Sequence, residues 1–246
     1  MDNIFKISED GYILLKCLDR NIIEAIIPDG ITTIEEAAFE GCSALKSIDI
    51  PNSVTSIGIS AFEGCSALKY IDIPNSVTSI GISAFEGCSA LKCIDIPNSV
   101  TYIKDLAFYG CSSLQCINIP ISVTYIGDGA FEECSALKNI DIPNRVKEIG
   151  WRAFGGCTSL QSIDIPNSVT HVLYGAFANC INLKDIHLHW TQIDKIQIEE
   201  DAFGEKNEKF MEECTLHVPP GTCQVYRNHP IFGKFKNIEI EKQSND

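Results

Sequence analysis

Twelve cysteines and five histidines are the side chains here best suited to metal or nucleophilic chemistry, and their spacing decides what that chemistry is. Cys42, Cys65, Cys88, Cys111, Cys134, Cys157 and Cys180 recur every 23 residues, each three residues after a phenylalanine. A thiol held at one place beside an aromatic ring behaves as a small buried hydrophobe. Disulfide frameworks suit small secreted chains without a core, and 246 residues are enough to build one. No C-x-x-C pair is present, which leaves a zinc ribbon or a thioredoxin-type site unsupported. The seven are therefore expected to be reduced and unreactive. Cys93 and Cys116 differ, because they point outward on neighbouring strands. Without a nearby base they read as two surface thiols, with oxidation or reactivity as the alternative.

His187 and His189 form an H-x-H pair close to Asp185 and Trp190. On a strand the two imidazoles share a face and could hold a metal, but no third ligand is apparent. His189 also stands where other units carry a strand-ending proline, and irregular packing explains the pair equally well. No metal, cofactor or catalytic residue is assigned. Serines are numerous, yet they recur in Asn-Ser-Val and Cys-Ser-Ala turns, and no G-x-S-x-G elbow or glycine-rich phosphate loop occurs.

The remaining chemistry lies in outward columns. One reads Asp49, Asp72, Asp95, Asn118, Asp141, Asp164, His187, preceded by Lys46, Lys69, Lys92, Lys138 and Lys184. Carboxylates on adjacent rungs repel by less than about 1 kcal/mol per pair in water. A solvated face with lysines offsetting the acids is the plain reading. The sharper one is a recognition strip of Tyr70, Asp72, Asp95, Asn118, Asp141, Asp164 and His187. A second outward column begins with Ser56 and Ser79, and its Tyr102, Tyr125, Glu148 and His171 form a competing strip. Calcium fits the acid column less well, because the ion needs six to eight enclosing oxygens.

Net charge is −14, from 19 basic and 33 acidic residues. That argues against nucleic acid and anionic lipid as partners, since both select basic surfaces. The acid gathers at the ends, with 10 acids and 4 bases in residues 1–50 and 11 and 7 in residues 190–246. Like-charged ends resist end-to-end polymerisation of a repeat array. No apolar run is long enough to span a membrane as a helix.

The elements that must position these side chains follow from the 23-residue period. Phe39, Phe62, Phe85, Phe108, Phe131, Phe154 and Phe177 keep it, and so do the prolines from Pro28 to Pro166. An eighth unit around Phe203 is stretched by three residues and lacks the cysteine. In the unit Leu45–Ala67, Ile48 and Ile50 alternate with Ser47 and Asp49, which predicts a short strand with the isoleucines inward. Pro51 ends it for want of an N–H. Val54 and Ile57 supply a second extended stretch, and Ala61, Phe62 and Cys65 fill the remaining corner. One unit cannot bury these groups alone, whereas stacked units seal them into a continuous core. Strands ~4.8 Å apart make eight rungs a rod of roughly 40 Å.

The string I-x-I-P-x-x-V-x-x-I-x-x-x-A-F-x-x-C, running from about residue 20 to 203, resembles the BspA-like leucine-rich repeats of bacterial surface antigens. ISEDGYILLKC resembles that family's lead-in, and CTLHVPPGTCQVYRNHPIFGKFKNIEI its closing segment. The resemblance implies a right-handed leucine-rich-repeat solenoid with a parallel β-sheet on its concave face. It also implies adhesion or protein binding, with which secreted members are associated. We expect one domain over 1–246: an N-terminal cap at 1–20 with a hairpin turning at Asp10-Gly11, repeats over 21–203, and a C-terminal cap at 204–246 with a helical stretch in EKNEKFMEEC. The expected function is non-enzymatic binding of a protein or other macromolecule on the concave face. The alternatives are a self-associating scaffold and an enzyme or metal site near the irregular C-terminal unit. No export signal is visible at Met1, so the expected location is cytoplasmic, with the cell surface or secretion as the alternative.

Overall fold

A computed structural model of the chain describes residues 4–204 and 208–241. The chain winds as a parallel β-solenoid of about ten turns at roughly 23-residue spacing. Each typical turn contributes two short extended segments, so two strand ladders run along the rod. The first passes through Glu24–Ile26, Ser47–Asp49, Cys93–Asp95, Cys116–Asn118, Ser162–Ile165 and Asp185–Leu188. A single bridge joins Tyr70 to Cys93 and another joins Asp141 to Asp164, so among the described residues the pairing is interrupted before Tyr70 and before Asp141. The second passes through Thr33–Ile34, Ser56–Ile57, Ser79–Ile80, Tyr102–Ile103, Tyr125–Ile126, Glu148–Ile149 and His171–Val172.

The repeat sets the register. Cys93 pairs with Cys116, and Tyr102 with Tyr125, each one period apart. A slip of one residue would turn each inward isoleucine to solvent, so the apolar pattern locks the pairing. Burial follows the expected alternation. Leu45, Val54, Ala61, Phe62 and Cys65 are wholly buried, Ile48, Ile50 and Ile57 nearly so, and Ser47 and Asp49 are exposed.

The third side of each turn is a corner rather than a strand. Its backbone still bonds from rung to rung: the Phe62 N–H donates to the Ala84 carbonyl at 2.8 Å and the Gly64 N–H to Glu86 at 2.7 Å. The chain reverses there through left-handed backbone, φ 69° at Gly64, where glycine escapes the Cβ clash that other residues meet. Inside the corner the phenylalanines stack face to face. Phe108 lies 5.5 Å from Phe85 and 5.4 Å from Phe131, with ring planes within 4°.

Both ends are elaborated. Phe5–Ile7 pairs antiparallel with Ile13–Cys17 around the Asp10-Gly11 turn, and Ile13–Cys17 starts the second ladder against Thr33–Ile34. At the other end the three extra residues of the stretched unit are absorbed at a 3-10 turn, Ile193–Lys195, and His171 pairs with Gln197. The first ladder then runs beyond the recognisable repeats. Thr215–Val218 pairs with Asp185–Leu188, and Asn237–Ile240 pairs with Thr215–Val218. In the mixed-charge segment 205–214 the helix spans Glu208–Glu213, and residues 205–207 lie outside the described part, as do 1–3 and 242–246 of the end segments.

The terminal unit, though stretched and without the cysteine, is closely packed. Phe203 stacks on Phe177 at 5.7 Å and meets Phe235 edge-on at 5.5 Å and Phe232 at 6.2 Å. Trp190 and Tyr226 are fully buried beside this cluster, and the Tyr226 hydroxyl donates to the Trp190 carbonyl at 2.9 Å. Aromatic bulk from the closing segment replaces the missing next rung.

Candidate functional site

Side chains that alternate with the buried isoleucines of the first ladder stand in a row on one face. Asp72, Asp95, Asn118, Asp141 and Asp164 are all exposed, and Tyr70 is 59% exposed. Asp95 pairs in register with Asn118, Asp141 with Asp164, and Asp164 with His187. Strand pairing thus sets Asp95 beside Asn118, and Asp164 between Asp141 and His187, as neighbours one strand spacing apart. On the second ladder Tyr102 is 54% exposed, and Tyr125, Glu148 and His171 are half-buried. Burial, then the nearby Asp105, Asp128 and Glu148 carboxylates, push the Tyr125 hydroxyl up to about 12, so it stays a donor at neutral pH. Trp151, half exposed and close to Tyr174, adds aromatic surface at the adjoining corner.

The cysteines divide as their columns do. Cys42 through Cys180 are free and buried. Their role exceeds that of a small hydrophobe, because each thiol from Cys65 onward donates to the phenylalanine carbonyl of the preceding turn. Cys134 Sγ reaches Phe108 O at 3.2 Å, and the same bond recurs at Cys65, Cys88, Cys111, Cys157 and Cys180. Burial pushes the Cys111 and Cys180 thiols up to about 12. Thiolate, the reactive form, is therefore scarce in the folded chain. Cys93 and Cys116 are not the two surface thiols favoured from sequence. They are joined in a disulfide, because in-register pairing brings their Cα atoms to 4.8 Å, within the range a disulfide bridges. Ten free thiols follow. Alkylation of the native protein at pH 8 should spare the seven-membered column. Denaturation without reductant should expose ten reactive thiols, and twelve would refute the Cys93–Cys116 bond.

The C-terminal end of the aspartate strip is the most densely functionalised place among the described residues. His187 and His189 do share a face. His189 lies between two carboxylates, with Nε2 3.1 Å from Asp164 Oδ1 and Nδ1 3.4 Å from Glu241 Oε2. His187 Nδ1 lies 3.6 Å from Glu241 Oε1. The His217 ring stacks on His187 at 4.3 Å, and its Nε2 lies 2.8 Å from Asp185 Oδ1. Glu241 could not be placed here from sequence, since it arrives through two strands of the closing segment that carry no repeat signature. The depressions nearby are open and lined mostly by polar residues. One of about 680 Å³ is lined by Asn144, Lys147, Pro166, Asn167, Ser168 and His189. Another of about 300 Å³ is lined by Lys138, Ser159, Gln161, Asn182 and Lys184. Neither has the enclosed apolar wall that small-molecule sites favour. No described helix is long and apolar enough to cross a membrane.

Comparison with known proteins agrees with this geometry. The family described as BspA type leucine rich repeat region matches residues 16–138 and 104–215, in six copies. Among solved structures, a T. pallidum leucine-rich repeat protein is 31% identical, with 74% of this chain and 89% of that one covered and a TM-score of 0.67. A leucine rich cell surface protein from Faecalibacterium prausnitzii is 28% identical, over 72% of this chain and 62% of that one, with a TM-score of 0.43. A leucine-rich repeat protein from Eubacterium ventriosum is 23% identical, over 75% and 59%, with a TM-score of 0.59, and supports the fold alone. No curated protein matches the chain.

Proposed function

This chain belongs to the BspA-type leucine-rich repeat family, and on that premise we propose that it is a non-enzymatic recognition module whose first-ladder face binds a protein. The observation that carries the reading is the row of exposed carboxylates that keeps the repeat period, Asp72, Asp95, Asp141 and Asp164, with exposed Tyr70 at one end and His187, paired with Asp164, at the other. Side chains projecting from consecutive strands can meet one extended ligand together, which is what a solenoid face offers. Tyr70 supplies an aromatic anchor, and the carboxylates select a basic partner and raise its rate of encounter.

The test pairs two double variants against a partner captured from the native environment on the immobilised wild-type chain. Asp72→Lys with Asp141→Lys should weaken binding about tenfold or more at low salt, with a smaller loss at high salt, where screening shortens the reach of the charges. Tyr102→Ser with Tyr125→Ser should leave binding nearly unchanged. The reverse outcome would move the site to the second ladder, a reading favoured by exposed Tyr102 and Trp151. Light scattering across concentration separates recognition of a foreign protein from self-association, since a scaffold grows in mass as it is concentrated.

The same proposal places the protein in an oxidising location, at the cell surface or secreted. The Cys93–Cys116 disulfide supports this, because such bonds persist outside the reducing cytosol. Protein alkylated in intact cells with this pair reduced would return it to the cytoplasm.

A further inference from the structure

We propose that Asp164 and His187, at the C-terminal end of the strip, form with Glu241 a binding site for a divalent transition metal of the zinc class, a property beyond protein binding by the rest of the strip. Their ligand atoms, one imidazole nitrogen and two carboxylate oxygens, all lie within 4.8 Å of one another. Ligands arranged tetrahedrally around zinc at about 2.1 Å stand roughly 3.4 Å apart. Closing the cluster therefore takes about an ångström of side-chain movement. The side chains have room for it, since His187 and Glu241 are each 29% exposed and Asp164 is 63% exposed.

The fold supplies the three groups from separate parts of the chain. Asp164 and His187 are register partners on adjacent strands. Glu241 follows the last strand, and its N–H donates to the Val218 carbonyl at 2.9 Å, holding the chain end alongside the ladder. Two further histidines prepare the site. His217, anchored on Asp185, stacks against the His187 ring and fixes its plane. His189 lies against both carboxylates, 3.1 Å from Asp164 Oδ1 and 3.4 Å from Glu241 Oε2. Outer partners of this kind, which orient the donors, are a regular feature of metal sites.

The donor set points to the metal class. Imidazole nitrogen suits zinc, copper and nickel, whereas calcium and magnesium select oxygen alone and in greater number. Two carboxylates balance the charge of a dication. Three protein donors leave a fourth position for water or for a donor from a bound partner.

Zinc itself is the probe. The intact chain, stripped with a chelator and with its accessible thiols alkylated, is titrated against a chromogenic zinc chelator. We expect one equivalent bound at micromolar affinity or tighter, with no competition from millimolar calcium or magnesium. His187→Gln and Glu241→Gln should each weaken uptake at least tenfold. His171→Gln, on the second ladder, should not. Zinc should raise the melting temperature of the wild type, and it should leave both site variants unmoved although they melt normally without metal. Absence of saturable uptake, or uptake unchanged in both site variants, overturns the proposal. Neither outcome bears on the Asp72 and Asp141 test, so failure here and failure of the recognition face are distinguishable.

Discussion

Replacing Phe108 with alanine is expected to lower the unfolding free energy by about 3–5 kcal/mol, the range for large aromatic truncations in a core. The ring is wholly buried and stacks on Phe85 and Phe131. Its removal forfeits both contacts and opens a void between two rungs. The rungs cannot close over that void, because backbone bonds hold their spacing: Phe85 N–H to Ala107 O and Phe108 N–H to Ala130 O, each 2.9 Å. Where a site cannot collapse, the cavity contribution remains. The more informative comparison is Phe203→Ala. A frayed terminal unit would lose far less, since it has one neighbour rather than two. Phe203 has no next rung, yet Phe210, Phe232 and Phe235 close around it. We therefore expect losses of similar size at the two positions, measured by urea unfolding. A loss at Phe203 below about half that at Phe108 would mean that the closing segment packs loosely.

The contrast between these residues marks how far the sequence can be followed. Phe108 was legible because seven phenylalanines keep one period, so its burial, its stacking partners and its register all follow from counting. The same counting places Asp95 beside Asn118 and Asp164 beside His187. Phe203 was legible as a member of a stretched unit, but its packing partners were not. They come from Glu208–Glu213 and the chain beyond, where no period assigns a residue to a rung. Glu241 was hidden for the same reason. It meets His187 and His189 across more than fifty residues of sequence, through a strand order set by the closing segment alone. The disulfide was missed differently. Register placed Cys93 next to Cys116 at one strand spacing, which a disulfide can bridge, but neither register nor spacing decides whether such a pair is oxidised.

Cys134→Asp should be among the most damaging single substitutions in the chain, and its effect should depend on pH in a defined direction. Cys134 is wholly buried in the middle of the thiol column, with its Sγ–H donating to Phe108 O. Serine keeps a donor of similar shape in the same place, so Cys134→Ser should cost little beyond the lost sulfur packing, about 1–2 kcal/mol. Aspartate places a carboxylate against a carbonyl oxygen, beside Cys111 and Cys157, where burial and the neighbouring Glu133 already disfavour negative charge on the thiol. An uncompensated buried charge costs about 3–5 kcal/mol. The group can avoid that cost by taking up a proton, so burial raises its folded-state pKa above the unfolded value near 3.9. Between those two pKa values the folded state binds more protons than the unfolded one, and stability therefore falls as pH rises. The melting-temperature gap between Cys134→Asp and Cys134→Ser should be small near pH 4 and wide at pH 7. A protonated aspartate can also donate to Phe108 O as the thiol does, which further narrows the gap at low pH. A gap that stays constant from pH 4 to pH 7 would show that water reaches the column, and the thiols would then be neither sealed nor inert.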